Sequence, residues 1–187
     1  MNDEYLDWIK DLHDSTAGSI DHNHWLCLMF PWLIPRNRFT DEIVSRYDYG
    51  STELDAMPDG WRLAFGEDMC FEIKKLLEKV NFEYDYRILQ IKEKFGELTW
   101  YDRGVPIEIY DEYHNVLDKY TTLSRKTCIR CGNPATKIST GWVNPFCDNC
   151  AESVHSELLD IPSTYNGTFD DLIYGYNVDN GYQYKNT

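Results

Sequence analysis

Apolar positions recur every three or four residues over three stretches of the chain, and that spacing predicts a helix in each. In the first, about 3–14, Tyr5, Trp8, Ile9 and Leu12 share one face, with acids opposite. In the second, Trp61 to Val80, the stripe is Phe65, Met69, Ile73, Leu76, Leu77 and Val80. Asp59 is expected to cap its start, and Lys74, Lys75 and Lys79 gather where the helix dipole favours cations. In the third, Pro106 opens a helix that buries Ile109, Tyr113, Val116, Leu117 and Tyr120. Between the second and third the period shortens to two. Tyr84, Tyr86 and Ile88, then Leu98 and Trp100, alternate with polar residues, which predicts two strands with Lys92–Gly96 as the hairpin connection.

Other stretches follow neither period. The apolar block from Trp25 to Pro35 contains Pro31 and Pro35, so it reads as a short helix followed by extended chain. Asp21, His22, Asn23 and His24 in front of it have metal-ligating side chains, but the pattern predicts a polar turn. Residues 36–59 are turn-rich, punctuated by Tyr47–Gly50 and Pro58-Asp59-Gly60. Beyond Ile161 aliphatics give way to Asn, Asp, Gly and Tyr, which predicts a polar surface segment. Tyr165, Tyr174, Tyr176, Tyr182 and Tyr184 can pin it to the body or to a partner. His13 and His114 are expected to be solvated on helical faces.

The strongest chemical signal is the run TCIRCGNPATKISTGWVNPFCDNCAE, residues 127–152. Cys128 and Cys131 form one CxxC pair and Cys147 and Cys150 a second. A CxxC turn presents two sulfurs to one ion, and zinc favours four thiolates in a tetrahedron. Gly132 follows the first pair as a tight knuckle requires, Ile138–Val143 reads as a small hairpin, and Ala151–Leu159 carries a helical pattern. Knuckle, hairpin and a second knuckle opening a helix describe a treble-clef or zinc-ribbon module. Four thiolates close the coordination shell, so the zinc is expected to fold the module and leave no position for an activated water. Cys27 and Cys70 sit among apolar residues and read as core thiols without a polarising base.

The fold expected is therefore α+β, with helices packed on a small antiparallel hairpin or sheet and the four-cysteine module near the C-terminus. Residues 1–126 would form the body, 127–160 the zinc module and 161–187 the polar tail. No run of about 18 apolar residues is present, so no transmembrane helix is expected. The acidic, amphipathic start lacks a signal-peptide pattern, which points to the cytoplasm.

Charge narrows the partners. The chain carries 18 basic and 32 acidic residues, a net −14, and the acid concentrates at the two ends: residues 1–60 are net −8 and 151–187 net −5. Such a balance repels a phosphate backbone and steers the protein toward basic surfaces. A local basic contact for nucleic acid or a partner is nonetheless conceivable at Lys92, Lys94, Arg103, Arg130 and Lys137, with Phe95 beside the hairpin tip. Arg36, Arg38 and Arg87 belong to the same search for a basic patch, although Glu93, Glu97 and Asp102 interleave with it.

The segments PWLIPRNRF, ELDAMPDGWRLAFGEDMC, YRILQIKEKFGELTWYD and TCIRCGNPATKISTGWVNPFCDNC also carry a resemblance. Together they resemble a set of uncharacterised proteins encoded by phages and prophages, over about residues 25–152. The resemblance implies a small accessory protein acting inside a host. Three functions follow as expectations. The first is a binding protein that inhibits a host defence or nucleic-acid-handling protein, as a DNA mimic or by sequestering a signal, through a basic surface on that host protein. The second is a zinc-module adaptor contacting nucleic acid or the transcription or replication machinery. The third is an enzyme with a scattered active site, although no phosphate-loop, nucleophile-elbow or metalloprotease motif occurs.

Overall fold

The computed structural model describes residues 22–44, 46–165 and 167–174. The helix expected over 3–14, Asp21, and Tyr176, Tyr182 and Tyr184 lie outside them. The described chain is α+β. Its elements run α1 (His22–Met29), α2 (Asp59–Trp61), α3 (Glu67–Lys79), β1 (Ile88–Lys94), β2 (Glu97–Asp102) and α4 (Tyr110–Arg125). They continue β3 (Lys137–Ser139), β4 (Pro145–Phe146), α5 (Asp148–Ala151), β5 (Leu158–Asp160) and α6 (Phe169–Tyr174). A π-turn, Arg62–Gly66, joins α2 to α3. Strands β1 and β2 form a hairpin, and β3 pairs antiparallel with β4 on one side and β5 on the other. No helix among the described residues is long and apolar enough to cross a membrane.

Several local expectations need correcting. His22, Asn23 and His24 are the first turn of α1 and not a turn before it; His22 Nε2 meets Glu67 Oε1 at 3.0 Å and His24 stacks on Tyr49. Helical structure starts at Asp59, with Pro58 and not Asp59 at the N-cap. Pro58 supplies the extended entry (φ −51°, ψ 138°), which moves Asp59 into the first turn. Around Tyr84 the chain turns instead of forming a strand: the amides of Asp85 and Tyr86 both reach back to Phe82 O, and Tyr84 is exposed. The hairpin connection is shorter than the five residues Lys92–Gly96. The strands continue to Lys94 and resume at Glu97, leaving only Phe95 and Gly96, both at positive φ (55° and 77°). Two left-handed residues make a type I′ turn, whose twist matches that of the strands.

The contacts divide the chain into two compact units. The first unit takes in the chain through Met57, Gly66–Ile91 and Trp100–Leu117. Its core is aromatic. Trp25, Phe30, Trp32 and Tyr86 are buried; Phe30 meets Phe71 edge-on at 4.9 Å and Trp32 meets Tyr86 at 5.6 Å. Buried tyrosines need partners for their hydroxyls, and here they form a directed chain. Trp100 Nε1 donates to Tyr86 Oη (2.8 Å), Tyr86 to Tyr113 Oη (2.6 Å), and Tyr113 to the Asp102 carboxylate. Burial and the Asp102 charge push both phenols well above their ordinary pKa, so they stay protonated as the chain requires. Cys27 and Cys70 are buried thiols of this unit with pKa values raised by desolvation, as expected of core cysteines.

The second unit comprises Pro58–Phe65, Lys92–Thr99 and the chain from Asp118 onward. The polar stretch beyond residue 160 is part of it. Phe169, 1% exposed, packs with Ile138 and Val143, and Leu159, Ile161, Leu172 and Ile173 adjoin them. One aromatic and three aliphatics thus anchor a segment whose composition otherwise reads as surface chain.

Candidate metal centre

The second unit gathers the two CxxC pairs. In the first, Cys128 N donates to Asn133 O (2.7 Å) and Gly132 N to Cys128 O (3.0 Å), closing a knuckle that Gly132 completes at φ 80°. The second pair straddles the start of α5: Cys147 is its N-cap, and Ala151 N donates back to Cys147 O (2.9 Å). Ile129 N donates to Pro145 O (3.0 Å) and Thr136 N to Phe146 O (2.9 Å), which hold the two knuckles in register. The helix expected over Ala151–Leu159 stops at Ala151. Leu158–Asp160 instead pair with Lys137–Ser139 as β5, because the strand partner takes the backbone bonds that a longer helix would have used.

The sulfurs of Cys128, Cys131, Cys147 and Cys150 lie within 4.8 Å of one another. Cys131 Sγ and Cys147 Sγ are 3.6 Å apart, close to the ~3.8 Å edge of a tetrahedron with metal–sulfur bonds of about 2.3 Å. Cys128 and Cys147 are buried, Cys150 half-buried and Cys131 exposed. Phe146 and Ala151 pack against the buried pair, with Ile129, Val154 and Leu158 around them. His155, five residues beyond the last cysteine, is exposed and outside the cluster. Among the described residues this is the one group of three or more such side chains able to hold a metal ion.

The electrostatics favour a cation. Desolvation pushes the Cys128 thiol up, but backbone N–H groups of Cys147, Arg130 and Cys131 outweigh it and bring the pKa down to about 7. Cys150 is pushed up to about 12, first by desolvation and then by its hydrogen-bonded neighbours Cys131 and Cys147. Left alone, the cluster therefore eases the ionisation of one thiol and opposes that of another. A divalent ion among the sulfurs reverses that preference and lets every thiol ionise.

A feature the sequence reading passed over is the seat of the first knuckle. Trp61, fully buried, donates its Nε1–H to Thr127 O (2.9 Å), and Gly60 N donates to Ile129 O (2.9 Å). A Cβ at Gly60 would stand 2.1 Å from Cys128 O and 2.7 Å from Cys131 N. Backbone meets backbone here, and only glycine permits it. The sequence signal for it is the Pro58-Asp59-Gly60 run, which fits turn punctuation and a close backbone approach equally well.

The five basic residues marked as contacts have the following neighbours. Lys137 on β3 is ion-paired with Asp160 (2.6 Å) and faces Asp148 at 3.8 Å. Arg130 lies over the Phe146 ring and donates to Ser153 Oγ (2.5 Å) and Cys150 O (3.4 Å). Lys92 is half-buried on β1, and Lys94 lies over the exposed Phe95 ring at 5.5 Å. Arg103 belongs to the first unit and pairs with Asp41 at 3.1 Å. No family model, curated protein or solved structure matches the chain.

Proposed function

We propose that this is a zinc-folded binding protein and not a catalyst. In this reading it is an accessory protein of phage type that occupies a basic surface on a host defence or nucleic-acid-handling protein. The observation that carries it is the closed set of four cysteine sulfurs. Four thiolates satisfy zinc completely, so the metal supports a fold and offers no open position for substrate or water. What remains for function is surface, and the surface charge of a chain at −14 is suited to steering onto a cationic partner.

The zinc-module adaptor is the second reading, and specific features favour it. Phe95 and Trp142 are 61% and 76% exposed in the same unit, Lys94 lies over the Phe95 ring, and exposed aromatic rings suit stacked single-stranded bases. Against it, Lys137 is already engaged by acids and Arg130 by Ser153 and Phe146. A pull-down from host lysate with metal-loaded protein, at low and high salt and with or without nuclease, separates the two. The binding-protein reading expects one stoichiometric host protein, lost at high salt and indifferent to nuclease. Recovery that depends on intact nucleic acid would transfer the assignment to the adaptor, and recovery of nothing would overturn both.

A further inference from the structure

The first unit contains a cleft lined by four arginines, Arg36, Arg38, Arg87 and Arg103, together with Asp41 and Glu53. In a chain so acidic, that concentration of guanidinium needs a reason. Two of the four share one carboxylate: Asp41, held at φ 62°, meets Arg103 Nη1 at 3.1 Å and Arg87 Nε at 3.4 Å. Glu53 is the other acid of the cleft: burial pushes its carboxyl pKa up, against the pull of the Arg38 charge and the Arg36 backbone N–H. Other acids adjoining in sequence are committed elsewhere: Glu42 accepts from Thr40, and Asp102 from Tyr113 and Gly104.

The other two are less fully engaged. Arg36 donates one Nη1–H to Asp41 O (2.8 Å), but its Nε is buried with no hydrogen-bond partner. A buried guanidinium N–H without an acceptor is costly, and an anionic oxygen is the acceptor that best removes the cost. Arg38 is exposed and meets Glu53 only through its charge. The turn carrying both is built to hold its shape. Asn37 Oδ1 accepts from the amides of Phe39 and Thr40, and Arg36 bridges to Ile43 across the turn.

We infer that this cleft binds the phosphate group of a small phosphomonoester. Arg36 and Arg38 would supply the unspent donors, and Arg87 and Arg103 would be held in place by Asp41. Guanidinium forks match phosphate oxygens in pairs, which is why a cluster of arginines and not lysines points to phosphate. The cavity volume, about 20 Å³, admits one or two oxygen atoms, so the ester group lies outward in solvent. A nucleic-acid polyanion is disfavoured, since many phosphates would feel the net −14 while a single one is held at short range. This inference is independent of the proposed partner binding.

Titration of the full metal-loaded chain with inorganic phosphate, adenosine monophosphate and a ten-nucleotide oligothymidylate, followed by calorimetry, tests it. Saturable binding of phosphate and the mononucleotide is expected, with a Kd below about 1 mM. Arg38→Ala, at an exposed position, and Arg103→Met should each weaken it about tenfold. Glu53→Gln should tighten it, and Lys137→Gln in the other unit should leave it unchanged. Absence of saturable binding by the two small probes, affinity insensitive to both arginine substitutions, or binding of the oligonucleotide alone would each overturn the inference.

Discussion

Gly60 shows how one missing carbon fixes a sign. Replacing an exposed helical glycine by alanine ordinarily stabilises a protein by about 0.5–1 kcal/mol. Here the new Cβ would meet Cys128 O at 2.1 Å, and the obstacle is backbone that cannot rotate away. Gly60→Ala is therefore expected to destabilise the protein, by about 3 kcal/mol in denaturant unfolding. Glu53 supplies a second residue-scale outcome. Its pKa is raised on folding, chiefly by burial, so its favourable contribution is full below the unfolded value of about 4.3 and is lost as pH rises through the folded value. At neutral pH the carboxylate is a burden. Glu53→Gln should raise the melting temperature at about pH 7.5 and raise it less at about pH 5. An equal gain at both values would contradict the buried-carboxylate account.

Elements divide into those that pattern alone made legible and those that needed long-range contacts. Met69, Ile73, Leu76 and Leu77 on α3, and Ile109, Tyr113 and Tyr120 on α4 and the turn before it, are buried where their spacing predicted. The cysteine pairs were legible for the same reason, since ligand spacing is local. The π-turn at Arg62–Gly66 was not, because the four-residue steps Trp61, Phe65 and Met69 fit an ordinary helix as well as a widened turn. Nor was β5: Leu158 and Leu159 fit a helix equally well until their pairing with β3 decides. Phe169 illustrates the same limit, because a lone aromatic in polar chain reveals nothing of the Ile138 and Val143 it meets.

The hairpin turn carries a testable element-scale consequence. Phe95 occupies a left-handed position where asparagine is strongly preferred, and a bulky side chain there costs about 1–2 kcal/mol. Phe95→Asn is expected to stabilise the chain by about 1 kcal/mol in the same denaturant assay. If the ring is also a contact, the gain in stability will accompany a loss of partner recovery. An unchanged or lowered stability would show that the ring is held by packing, as its lysine neighbour at 5.5 Å would suggest.

At the scale of the whole molecule, the four-cysteine cluster lies where several segments of the second unit meet. The sulfurs come from segments about twenty residues apart, α2 packs directly on the first knuckle, and Cys147 opens α5 beside the buried Phe146. The short strands β3, β4 and β5 carry few bonds of their own, and the core groups around Phe146 and Phe169 are small. A metal ion held by the four cysteines would add the cross-links that so small a core lacks. The most direct measurement is native mass spectrometry of the full chain before and after chelation, paired with hydrogen exchange over residues 118–174. The account expects a single zinc ion per chain. It also expects the amides of Ile129, Gly132, Thr136 and Ala151 to lose protection when the zinc is removed, and to lose it equally in Cys128→Ser. A chain that carries no metal and keeps those amides protected would contradict it.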